Sequence, residues 1–169
     1  MATGTGVLVV AEVSANGALR AVSWEMLTAA RAIAAAHGGE VVGLVAGIGI
    51  ADAAAQWGSG GADRLLVADD ARLAGNLPGP MAAALQQAIA HVNPAVVLLP
   101  GTTAGRDYAP LVAARLGIGL AADCTEIAVT DQRAPRALTR LPISGSSETA
   151  RSGASVVAAI PLIGFHLSF

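Results

Sequence analysis

Three segments of this chain carry residue types whose spacing could do chemistry, and the most suggestive is Gly101-Thr-Thr-Ala-Gly-Arg-Asp107. Its small residues let a backbone approach a ligand closely. A helix starting here would offer unpaired N–H groups, and Arg106 adds a positive charge, so Thr102, Thr103, Gly105, Arg106 and Asp107 form a candidate phosphate-binding set. The same residues also read as ordinary helix punctuation: Thr102 or Thr103 caps the helix, Asp107 offsets its positive end and Arg106 pairs with a local carboxylate. Both readings stand on sequence alone. Gly47-Ile-Gly49 invites a dinucleotide reading, but it follows the second expected strand, and Asp52 stands where a third glycine belongs. With Glu12 to Ser14, these segments fall at the carboxyl ends of expected strands, where open parallel sheets bind ligands.

The remaining reactive side chains point away from catalysis. Cys124 is the only cysteine, which excludes an intrachain disulfide and a multi-cysteine metal site and fits a reducing, cytoplasmic setting. It reads as a small buried hydrophobe. His37, His91 and His166 are scattered over two helix ends and the tail, so no metal site is expected. Ser144 to Ser147 lacks the strand, strained turn and helix of a nucleophile elbow. Trp24 and Trp57 sit at helix boundaries and are expected to pack rather than stack on a ligand. No lysine occurs among the 10 basic residues, which removes Schiff-base and P-loop lysine chemistry. No acid–base pair, metal cluster or activated nucleophile emerges, so catalytic residues are not expected.

The elements that must position these residues follow from hydrophobic patterning. With 54% apolar and 13% charged residues the chain is expected to fold, and 169 residues suffice for one domain spanning 1–169. A net charge of −2 gives no field to attract nucleic acid or an anionic membrane. The apolar C-terminal stretch Ala154 to Phe169 is too short and too interrupted by Pro161 and Gly164 to cross a bilayer, and the N-terminus shows no signal peptide.

Val7 to Val13, Glu40 to Ala46, Arg64 to Ala68 and Ala95 to Leu99 read as buried strands. Helices are expected over Trp24 to His37 with Ser23 as cap, Ala51 to Trp57, Pro80 to Val92, and from the Gly101–Asp107 loop to Leu116. This alternation predicts a three-layer α/β fold, a mostly parallel sheet with helices on both faces, over about residues 7–128. From Ala121 the pattern changes to short extended pieces, Asp123 to Val129, Ala137 to Leu141 and Ser155 to Ile160. They predict a small antiparallel portion within an extended segment over 129–169.

Several segments together resemble the N-terminal domain of the electron transfer flavoprotein alpha subunit. They are Val9-Val-Ala-Glu12 with Gly17, Leu27-Thr-Ala-Ala30, Gly39 to Gly47, Gly61-Ala-Asp63, and Asn93 to Pro100. The strongest stretch is Gly105-Arg-Asp-Tyr-Ala-Pro110, followed by Ala113 to Gly117 and Ala122 to Thr125. Their order and spacing, rather than any one piece, carry the likeness. The chain departs from the family at Thr139 to Gly145, where members usually carry an Arg-Pro, Tyr-Gly-Gly-like motif; Arg140 and Gly145 match it, and the aromatic and one glycine do not.

The resemblance implies a platform domain that works with a beta-subunit-like partner beneath a mobile FAD-binding domain, the latter not being part of this chain. On that expectation the chain is not an enzyme by itself, holds no cofactor strongly, and meets FAD or AMP through its partner. The alternatives are a standalone nucleotide-binding module that uses the Gly101–Asp107 loop, or a self-associating homodimer built on the apolar tail.

Overall fold

The computed structural model describes residues 6–122 (the His37 side chain apart) and Cys124, together with the backbone of 126–131, 134–138 and 156–161. The Thr139–Gly145 segment, Ser144 to Ser147 and His166 lie outside the described residues.

Four parallel strands form the sheet's body: β1 (Val7–Val10), β2 (Val41–Gly47), β3 (Arg64–Asp69) and β4 (Val96–Pro100). Helices α1 (Ala21–His37), α2 (Ala51–Gly58), α3 (Pro78–Val92) and α4 (Thr103–Leu116) connect or flank them. A hairpin of β5 (Glu126–Asp131) and β6 (Ala134–Leu138) follows, and β7 (Val156–Pro161) returns antiparallel to β4. The sheet order is β3-β2-β1-β4-β7. The expected three-layer α/β fold with a small antiparallel addition is therefore present.

The continuous apolar runs work because successive side chains of a strand point to opposite faces, and here both faces are covered. Val7, Val9, Val41, Val45, Val96 and Leu98 pack on the face that carries Met26, Leu27 and Trp57. Leu8, Val10, Val42, Leu44, Val97 and Leu99 pack on the opposite face with Leu85, Ile89, Tyr108 and Val112. Helices poor in large side chains can approach the sheet closely. Gly43 in β2 lies against the Trp57 ring, where a Cβ would sit 2.6 Å from Cζ3.

Two elements differ from the sequence expectation for local reasons. Helix α1 begins at Ala21 after Arg20, so Ser23 is not its cap. Instead the fully buried Ser23 hydroxyl accepts from the Glu12 N–H at 2.8 Å and donates to the Glu12 carbonyl at 3.1 Å, tying α1 to the end of β1. Two 3₁₀ turns within Ala71–Asn76, separated by a kink at Ala74 and Gly75, stand where no element is expected; they are opened by Asp70, whose carboxylate accepts from the Arg72 N–H. The Arg72 side chain also donates to Asp70 and holds its carboxyl at about 2, below the usual carboxylate range.

Candidate functional site

The sheet order reverses between β1 and β4, because β1 continues to β2 on one side while β4 adds on the other. Such a switch point opens a crevice at the carboxyl ends of the strands. Here it is lined by Ala11, Glu12 and Val13 after β1, Ala46 of β2, Pro100 of β4, Asn76 and Met81, and Ala104, Gly105 and Tyr108 of α4. Its cavity volume is ≈ 10 Å³, room for about one water molecule.

Glu12 dominates the crevice. It is 8% exposed, and its Oε1 accepts from Arg20 Nη1 at 2.9 Å, whereas the buried Oε2 has no hydrogen-bond partner among the described residues. Beside it, burial and then the Glu12 charge push the Tyr108 hydroxyl far above its ordinary pKa.

Unfolded tyrosine ionises near 10.0, whereas folded Tyr108 keeps its proton above that value. Its contribution to stability is therefore complete below that pH and drains away as pH rises beyond it. Because Tyr108 is the sole tyrosine, an alkaline titration followed by phenolate absorbance should show no ionisation until the domain unfolds. Early, reversible phenolate formation in folded protein would contradict this burial.

The five residues singled out from sequence occupy different environments. Thr102 is the N-cap of α4, and its hydroxyl accepts from the Gly105 N–H at 3.2 Å while its carbonyl accepts from the Arg106 N–H. Thr103 begins the helix and is exposed. Gly105 is buried against β4, where a Cβ would lie 1.9 Å from the Pro100 carbonyl oxygen. Arg106 and Asp107 are exposed on α4 and do not line the crevice. Only Gly105 of the five reaches it. Thr102→Ala should cost about 1 kcal/mol, the usual value of a lost N-cap, in urea unfolding; an unchanged midpoint would refute the capping role.

The Gly47–Gly49 turn has a comparable internal solution. The Asp69 carboxylate, at the end of β3, accepts from the Gly49 N–H at 2.8 Å and the Ile50 N–H at 3.2 Å, so a side chain already occupies the anion position before α2. The strand expected over Arg64 to Ala68 stops one residue short of Asp69, which closes β3; the signal available was an acidic residue at a strand end facing a glycine-rich turn. Glu12 was noted only as part of a segment, since its burial depends on α1 and α4 arriving from distant sequence. Cys124 is fully buried, and no group of three or more metal-ligating side chains occurs among the described residues. No described helix is long and apolar enough to cross a membrane.

The fold defines a three-layer α/β domain built on a mostly parallel sheet. Residues 7–160 match the electron transfer flavoprotein domain family, and the chain belongs to that family. It is 34% identical over 141 residues to the electron transfer flavoprotein subunit alpha of Megasphaera elsdenii, covering 83% of this chain and 41% of that protein. It is 34% identical over 139 residues to protein FixB of Azotobacter vinelandii, covering 79% and 38%. With the acryloyl-CoA reductase electron transfer subunit beta of Anaerotignum propionicum it shares 33% identity over 112 residues, covering 66% and 30%. The chain thus spans well under half the length of these relatives, and its likeness is to the N-terminal domain of the alpha subunit. Two of these relatives are themselves named as subunits of electron transfer proteins.

The family implies a flavin. In this crevice the buried Glu12 carboxylate would oppose a phosphate group.

Proposed function

We propose that this chain is an alpha-type platform domain of an electron transfer flavoprotein, working in the cytoplasm without redox chemistry of its own. It docks with a beta-subunit-like chain, and any FAD or AMP is held with that partner or by further domains. The observation that carries this reading is the family match over residues 7–160 on a domain whose switch-point crevice has room for about one water. The alpha and electron transfer subunits among its relatives support a place in a multi-chain complex.

Co-expression with a beta-type chain tests the reading. A stoichiometric complex should form, and flavin absorbance should appear only in the assembled protein. Stoichiometric flavin released from this chain purified alone would overturn it. So would a rise in melting temperature with AMP that is abolished by Arg106→Ala, which would replace it with a standalone nucleotide-binding module acting through the Gly101–Asp107 loop.

A further inference from the structure

Strand β3 is the last strand of the sheet on its side, hydrogen-bonded to β2 on one edge and, among the described residues, to no strand on the other. Soluble proteins blunt such an edge with a central charge, a proline or a bulge. None of these interrupts Leu65-Leu-Val-Ala68, which pairs with β2 in unbroken register. Val67, at the middle of the strand, is 51% exposed. The charges stand at the ends: Asp63 and Arg64 at one, Asp69 and Asp70 at the other.

We propose that the β3 edge pairs antiparallel with the β3 edge of a second copy of this chain, joining two sheets across a two-fold axis. The charge pattern and the pleat together select both the occupant and the register. Residues directly opposite each other in an antiparallel pair point to the same face, so a two-fold axis normal to the sheet pairs only residues of like parity. One register centres on Leu66 and sets Asp63 opposite Asp69, like charge against like. The next centres on Val67 and sets Val67 against Val67, Leu66 against Ala68 and Arg64 against Asp70.

The second register places opposite charges at both ends and covers the exposed valine. Asp70 continues the strand with extended backbone, φ −147° and ψ 137°. In the isolated chain Arg64 pairs with Glu40 at 3.3 Å and Asp70 with Arg72, all four side chains being at least 38% exposed, so these groups can exchange partners at little cost. The pairing does not rest on the proposed docking with a beta-type chain, and the two readings fail independently.

Sedimentation equilibrium of the full chain, alone and with any copurifying partner, tests the pairing. The expected result is a dimer of the chain, or of the complex. Arg64→Asp and Asp70→Arg should each weaken dimerisation by about tenfold or more, because each two-fold pair contains the contact twice. The double variant Arg64→Asp/Asp70→Arg should restore it. A monomer at every concentration overturns the proposal, as does a dimer indifferent to the single reversals or not rescued by the double. Val67→Lys, which places two ammonium groups at the axis, keeps the test decisive if a charge variant folds poorly: it should disperse the dimer, and an undiminished dimer overturns the pairing.

Discussion

Gly105→Ala should destabilise this domain by about 3 kcal/mol or more, well beyond the usual effect of placing alanine in a helix, which favours alanine over glycine by roughly 0.5–1 kcal/mol. The reason is position. Gly105 lies in the first turn of α4, where the helix passes over the end of β4, and a Cβ there would stand 1.9 Å from the Pro100 carbonyl oxygen and 3.0 Å from its carbon. Both atoms belong to backbone, so no rotamer can relieve the overlap and the helix must lift from the sheet. Gly58, the last residue of α2, is the internal control, since the nearest atom to its Cβ would be Leu65 Cδ2 at an ordinary 3.5 Å. Gly58→Ala should be neutral or stabilise by up to about 1 kcal/mol. Urea midpoints of the two variants check the contrast, and similar midpoints for both would refute the close approach of α4 to β4.

Trp57→Ala should cost about 3–5 kcal/mol, the range for truncating a fully buried large aromatic side chain. Trp57 has no exposed surface, lies over Gly43 and Leu65, and donates its Nε1–H to the Ser23 carbonyl at 3.3 Å. Truncation leaves both a cavity and a buried carbonyl without that donor. Trp57→Phe keeps much of the ring and should lose less. Trp24 is only partly buried and packs near Gly60, so Trp24→Ala should lose much less than Trp57→Ala in the same circular dichroism melts. Equal losses at the two tryptophans would contradict the placement of Trp57 in the core.

The parallel core was legible because its signals are local. Apolar runs such as Val7 to Val10 and Val96 to Leu99 are bounded by glycine, proline or asparagine, and four such runs alternating with helical stretches admit few topologies. The C-terminal pieces were less legible. The expected strand over Ala137 to Leu141 is β6 over Ala134–Leu138, since pairing with β5 fixes its register and propensity does not.

At the site, Thr102 could be read as a cap because capping depends on residues three apart. Ser23 was misplaced because α1 starts earlier than its first capping residue, and the hydroxyl's partners belong to Glu12, beyond the end of β1 and eleven residues away. The buried oxygen of Glu12 had no sequence signature. Its isolation is created by residues of β2, β4 and α4 that meet around the crevice only in the folded chain.

The carboxylate of Asp69 fills, with the protein's own atoms, the place where related architectures receive an external anion. The turn before α2 therefore takes its final form at folding and does not await a visitor. Any association that used this corner would not be taxed by the ordering of a loop. For the platform role proposed above, in which one part holds still while another moves, that is the economy a framework requires.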